Sequence, residues 1–286
     1  MTAGENIKPS VCGEYSLLKQ VPVVLRARGF RLYTKGGRRL VDLWLNGGAA
    51  VLGHTPPNML RELKNTASRG LYAPFPHFTE GRFIKALSKL LPGNSFRLYA
   101  APPAELSVLF NSGEAGLWRP FTDPASPFAA GKKAPPLLVP VLPGIQLWRN
   151  NLPLGLCVVA AESEDCLALL PEGDTLSPVL LAVAARGVYD LLASPGRAKP
   201  ELRRVFKTLQ KSPVNLLWRR QGIYLYLKEK RESEAWADLF SQFLGAGFLL
   251  PPNQNQPLIL PGELSDGEEA KLAAALGGVV SLPSAV

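Results

Sequence analysis

Apolar positions recur every three to four residues over 57–68 and again over 80–90, where Phe83, Leu87, Leu90 and Leu91 share one face. That spacing predicts two amphipathic helices, and Pro92-Gly93-Asn94 stops the second. Upstream the period changes to that of strands. Val23-Val24-Leu25 is β-rich, and Arg31-Leu32-Tyr33 and Leu40-Val41-Asp42-Leu43 flank Lys35-Gly36-Gly37, the pattern of a hairpin. Asn46-Gly47-Gly48 breaks it, and 96–100 reads as a short strand. Between Gly116 and Gly144 stand seven prolines (Pro120, Pro124, Pro127, Pro135, Pro136, Pro140 and Pro143). Proline has no N–H to donate, so this stretch is expected to be loop with at most short edge strands.

Beyond Gly155 the elements alternate. The pattern predicts a buried strand at 156–160, an apolar helix at 178–193 and an amphipathic helix at 200–211. A strand at 222–228, a helix at 233–244, strands at 247–250 and 257–260, and a helix at 265–276 follow. Ser265 and Glu268 form a capping box for that last helix. Helix–strand alternation over the last hundred residues implies a small α/β domain.

Composition narrows the class. With 286 residues, 47% of them hydrophobic, and a mean hydropathy of +0.06, the chain can bury one large core or two small ones. No run of eighteen apolar residues exists without charges or prolines, and the first ten residues are polar, so the expected location is cytoplasmic. Three cysteines (Cys12, Cys157, Cys166) and two histidines (His54, His77) supply neither a disulfide framework nor a zinc site. The net charge is +9, with basic residues gathered over 26–39 and 197–211. Interleaved as they are with core residues and without a nucleic-acid motif, they read as a solvated helix face plus a basic hairpin. Nucleic acid and membrane are therefore not expected partners. A binder of nucleic acid or an acidic partner through 197–211 stands as a third reading.

Several strings, in order, resemble the class III aminotransferases, fold type I enzymes dependent on pyridoxal phosphate (PLP), and among them the glutamate semialdehyde aminotransferases. Gly29-Phe30-Arg31-Leu32-Tyr33 through Arg39-Leu40-Val41-Asp42-Leu43 resembles the family's opening hairpin. The stretch from Gly47-Gly48 to Gly53-His54-Thr55-Pro56 resembles its apolar run ending in Gly-His-x-x-Pro, one residue shorter. Leu152-Pro153-Leu154-Gly155 matches the string that follows the cofactor lysine. Thr175-Leu176-Ser177 and Leu181-Ala182-Val183-Ala184-Ala185 match a further string and its helix. The resemblance implies an α/β fold of the fold type I PLP-transferase kind with a shortened large domain and a small α/β C-terminal domain. The organisation expected is an N-terminal segment with a hairpin over 1–48, a truncated large domain over 49–185 with its proline-rich stretch at 116–144, and a small domain over 186–286. The missing part would lie between the 96–100 strand and the proline-rich stretch.

The chemistry of such an enzyme needs a lysine amine for the internal Schiff base, a carboxylate at the pyridinium nitrogen, and donors for the phosphate. By the resemblance, the lysine belongs six residues before Leu-Pro-Leu-Gly, where this chain has Gln146. The glycines that follow it are replaced by Arg149, Asn150 and Asn151. The aspartate belongs at the end of an apolar strand, and Val108-Leu109-Phe110-Asn111 would put Asn111 there. The same residues admit a second alignment, in which Ser112 and Gly113 belong to a phosphate loop. A third puts that loop at Ala101-Pro102-Pro103-Ala104-Glu105, where prolines remove the donors, and the spacing from Pro92 favours it.

Thr175 corresponds to a threonine that in the family reaches the phosphate of the neighbouring subunit's cofactor; alternatively it caps the helix near 178. His54 reads as a packed turn residue. Trp44, Trp118, Trp148, Trp218 and Trp236 read as core or interface. The expectation is an aminotransferase-like homodimer that has lost PLP catalysis, needs no cofactor, and binds a phosphate-bearing small molecule near Thr175 or another protein. The alternative is a PLP-dependent aminotransferase or aminomutase with a displaced amine, Lys132 or Lys133.

Overall fold

The computed structural model describes residues 16–131, 134–149 and 152–279. In chain order the strands are β1 (Val24–Arg28), β2 (Arg31–Thr34), β3 (Arg39–Asp42), β4 (Ser95–Tyr99), β5 (Ala115–Trp118), β6 (Leu137–Pro140), β7 (Leu147–Arg149), β8 (Leu152–Leu154), β9 (Cys157–Ala161), β10 (Trp218–Gln221), β11 (Tyr224–Leu227), β12 (Phe248–Leu249) and β13 (Leu258–Ile259). The helices are α1 (Pro57–Ala67), α2 (Thr79–Leu90), α3 (Ala104–Ser112), α4 (Glu164–Leu167), α5 (Pro178–Leu192), α6 (Arg203–Leu209), α7 (Val214–Leu217), α8 (Ser233–Ala246) and α9 (Asp266–Gly278).

The large sheet has the order β4-β9-β6-β5. β5 and β6 are parallel, and β9 runs antiparallel to both β4 and β6. Both faces are covered, which is why every residue of β9 is buried. Successive residues alternate between two cores, as the two-residue period of a strand requires. Leu98, Trp118, Leu138, Val158 and Ala160 join the side that includes residues of α2 and α5. Tyr99, Ala115, Leu137, Val139 and Val159 join the side that includes Leu106 of α3 and Leu167 of α4. The result is a helix–sheet–helix sandwich.

Three further sheets form among the described residues, one of them the two-stranded β7–β8 pair. In β1-β2-β3-β12 the N-terminal hairpin is extended by β12, parallel to β3, so the start of the chain is joined to its C-terminal quarter. The third sheet is β10-β11-β13. α9 begins with the expected capping box, each of Ser265 and Glu268 bonding the other's backbone N–H.

Three local expectations differ from what forms. Residues 108–111 are helical, within α3: Pro103 precedes the helix and Gly113, at φ 82°, closes it in the left-handed conformation that glycine tolerates. The proline-rich stretch carries β5 and β6, and β6 lies inside the sheet between β9 and β5. It escapes the expected edge position because Pro135 and Pro136 precede it and Pro140 is its last residue, so the three residues before Pro140 keep their N–H groups for the ladder. The helix expected over 200–211 is the seven-residue α6 alone. Among the described residues, no single helix is long and apolar enough to cross a membrane.

Candidate functional site

Parallel pairing brings the C-terminal ends of β5 and β6 to one end of the large sheet. There the chain leaves β6, passes residues 141–146, and enters the β7–β8 hairpin. Gln146, the position that by resemblance belongs to the cofactor lysine, lies on this approach and is 1% exposed. Both ends of its carboxamide are engaged. Oε1 accepts from the Leu142 N–H at 3.0 Å, and Nε2 donates to the Leu156 carbonyl at 3.1 Å. Its own carbonyl accepts from the Asn46 side chain. A buried carboxamide that meets one donor and one acceptor of the backbone is a cross-brace between the loop after β6 and the entry to β9.

Asn46 reaches that carbonyl from an unusual turn. Leu45, Asn46, Gly47 and Gly48 all have positive φ (49°, 50°, 68° and 112°), a conformation that costs energy at the two non-glycine residues. Asp42 holds the turn, its Oδ1 accepting from the N–H groups of Trp44 (2.8 Å) and Leu45 (2.9 Å). Its Oδ2 lies 2.9 Å from His54 Nε2, so His54 is a packed turn residue bound to its neighbour. The glycine at 47 is required by space as well as by φ. A Cβ there would lie 2.5 Å from the Trp148 ring. Trp148 of β7 is itself buried and roofs the turn.

Arg119 follows β5 directly. Its Nη1 donates to the Gly47 carbonyl at 2.7 Å. Its guanidinium carbon lies 5.7 Å from the Trp148 ring centre and 5.6 Å from that of Tyr224, within reach of cation–π attraction. Tyr224 is fully buried and donates to the Pro120 carbonyl at 2.8 Å, and burial pushes its phenol above the usual range. The charge that follows β5 is thus positive. Asn111, the sequence's candidate for the carboxylate position, is exposed on α3.

The remaining candidates are dispersed. Ser112 and Gly113 lie at the C-terminal end of α3, where Ser112 donates to the Leu109 carbonyl at 3.1 Å. A helix C-terminus presents carbonyls and the negative end of the dipole, so these two residues do not form an anion cradle. The strand–loop–helix order that a phosphate loop requires occurs at Ala101-Pro102-Pro103-Ala104-Glu105, between β4 and α3. Thr175 is exposed and does not cap α5, whose N-cap is Ser177. It lines a hollow of about 310 Å³ with Glu80, Arg97, Glu172 and Asp174. Arg97 Nη1 donates to the carbonyls of Leu167 (2.6 Å) and Leu170 (2.5 Å), and the three carboxylates outnumber this one cation among the described lining residues, which makes the hollow net negative.

Trp118, Trp218 and Trp236 are core residues, and Trp44 donates through Nε1 to Gln256 at 2.7 Å. Arg197, counted in the sequence among a basic surface stripe, points inward. It donates to the carbonyls of Val51 (3.0 Å) and Leu260, lies 5.1 Å from the Phe30 ring centre, and burial pushes its pKa down to about 10. Lys132, Lys133, Asn150 and Asn151 lie outside the described residues, as does Cys12. The site residue that sequence reasoning missed is Arg119. Its signal was a cation directly after the apolar Leu117-Trp118, but its partners stand about thirty, seventy and a hundred residues away along the chain.

No protein-family model matches the sequence. The chain is 27% identical over 292 residues to an uncharacterized protein of Treponema pallidum (strain Nichols), covering 86% of this chain and 91% of that one. It is 26% identical over 254 residues to an uncharacterized protein of Borreliella burgdorferi, covering 88% and 89%. In three dimensions it is similar to an ornithine aminotransferase from Plasmodium yoelii, with a TM-score of 0.61, 12% identity, and coverage of 97% of this chain and 96% of that one. A glutamate-1-semialdehyde aminomutase from Pseudomonas aeruginosa PAO1 gives 0.63 and 14%, with coverage of 91% and 87%. An N-acetylornithine aminotransferase from Stenotrophomonas maltophilia K279a gives 0.60 and 15%, with coverage of 93% and 98%. The fold is that of the fold type I PLP-dependent transferases.

Proposed function

We propose that this chain is an aminotransferase-fold protein that has given up PLP chemistry and serves as a binding or assembly protein, acting as a homodimer in the cytoplasm. The observation that carries the reading is Gln146. A carboxamide cannot form an imine, and this one is committed at both ends to backbone groups of the core.

The rest of the site fits PLP no better. The pyridinium nitrogen of the cofactor needs a carboxylate partner to stay protonated, whereas Arg119 offers a second cation. The Trp148 ring closes over Gly47. At the strand–loop–helix turn, Pro102 and Pro103 supply no N–H groups. The carboxylates beside Thr175 disfavour a phosphate there, so a protein partner is the better fit of the two ligand classes. We further read the four-stranded large sheet as a shortened form of the family's, reduced between β4 and β5, where α3 alone remains.

The alternative, a PLP enzyme using Lys132 or Lys133, differs in one visible property. The purified protein titrated with PLP should stay without the absorption band of a protonated Schiff base. A saturable band would favour the displaced lysine.

A further inference from the structure

We propose that the basic face formed by α6 and the end of β10 is a docking surface for an acidic segment of a partner protein. This rests on the reading of the chain as a binding protein and adds the chemistry of the partner. From residue 202 to residue 228 the chain carries seven Lys and Arg residues and no acidic one. α6 turns Val205 into the core, which leaves Arg203 and Lys207 exposed about one turn apart on its outer side. Lys211, just past the helix, is exposed as well. Arg220 of β10 joins them. Its guanidinium carbon lies 3.8 Å from the ring centre of Phe206 in α6, and its Nε donates to the Gly222 carbonyl at 2.8 Å.

Among the described residues, none of these four cations forms an ion pair. The carboxylate that does reach α6 is Glu269, and it is buried. It accepts from the backbone N–H groups of Arg204 (2.5 Å) and Val205 (3.3 Å), so it holds the helix in place and leaves the outer face unneutralised. Like charges one turn apart on a helix repel. Carboxylates arriving from a partner remove that repulsion and gain charge-assisted hydrogen bonds.

Two features select a protein segment over a nucleic acid. Leu216 is 63% exposed on α7, which packs against both α6 and β10. It gives the basic face an apolar anchor that a protein segment can cover and a phosphate backbone cannot use. Phe206 is half-buried and already stacked by Arg220, which withholds its ring from the base stacking that single-stranded nucleic acid relies on. The surface shares no residue with the Gln146 site or the hollow at Thr175. Docking here and loss of PLP chemistry are therefore decided by separate measurements.

The test uses the full chain and a fluorescent peptide built of Leu-Glu-Glu repeats, followed by anisotropy, with the neutral Leu-Gln-Gln peptide and an oligothymidylate of similar net charge as controls. The acidic peptide should bind saturably, the neutral one should not, and the oligothymidylate should bind more weakly. Lys207→Glu with Lys211→Glu should weaken the acidic peptide about ten-fold or more. Arg26→Glu with Arg28→Glu changes the net charge equally at two exposed positions on β1, and should weaken it far less, which separates this face from the charge of the whole chain. Leu216→Ser leaves every charge in place and should also weaken binding, so the surface can be tested even if the double reversal unfolds α6. Failure of the parent to bind the acidic peptide, equal losses in the two double variants, undiminished binding in Leu216→Ser, or oligothymidylate binding as tight as the peptide would overturn the proposal.

Discussion

Gln146→Lys supplies the residue type that a Schiff base needs, and the structure predicts that it will damage the protein without giving it PLP chemistry. The Gln146 site is 1% exposed, with the Leu142 N–H and the Leu156 carbonyl as its neighbours. An ammonium can donate to the Leu156 carbonyl. It has no lone pair for the Leu142 N–H, which becomes a buried orphan at about 1–3 kcal/mol. A buried ammonium without a carboxylate costs several kcal/mol more, reduced if the amine stays neutral. Together these give a loss of about 3–5 kcal/mol. At roughly 2–4 °C per kcal/mol for a chain of this size, the melting temperature should fall by roughly 6–20 °C. The assay is thermal unfolding followed by near-ultraviolet circular dichroism, with a PLP titration of the folded variant below its transition. A variant as stable as the parent that takes up PLP with a Schiff-base spectrum would refute the reasoning, because it would mean that the pocket still has room for cofactor and amine.

Gly47→Ala should destabilise the protein by about 1–3 kcal/mol through overpacking and backbone strain, since its Cβ meets the Trp148 ring at 2.5 Å and φ is 68°; in a double-mutant cycle the same change should cost less in a Trp148→Ala background, and an equal cost in both backgrounds would contradict the contact. Glu268 is held at a pKa of about 2, first by its hydrogen bonds from Arg31 (3.0 and 2.7 Å). A depressed carboxylate stabilises the fold above its unfolded value of 4.5, and that contribution fades as pH falls from there toward 2. Glu268→Gln should therefore lower the urea midpoint at pH 7 and have little effect near pH 2; an equal effect at both would count against the ion pair. The homodimer is checked by sedimentation at micromolar concentration, where a monomer would contradict it.

Much of this fold can be read in the sequence because its long helices carry regularly spaced apolar residues. α1, α2, α5 and α8 follow from the spacing of their apolar residues, and α9 from its capping box. The elements that escaped are short and owe their form to neighbours. Residues 108–111 read as the end of an apolar strand, whereas they lie in α3, which Gly113 closes. β6 hides among prolines because its pairing is supplied by β5 and β9, from different parts of the chain. The sequence singles out Gln146 only through the resemblance; its role as a cross-brace is not legible there, since Leu142 and Leu156 lie on either side of it in sequence and only the fold turns both toward one carboxamide. Arg119 had no local partner to mark it.

The most direct test of lost PLP chemistry is reductive trapping. The protein is incubated with excess PLP, reduced with borohydride, digested, and its peptides searched by mass spectrometry for a pyridoxyl group. The account predicts labelling no greater than the scattered background of exposed surface lysines. Stoichiometric label on one lysine, at Lys132 or Lys133 above all, would contradict it and make the chain a PLP enzyme with its amine moved.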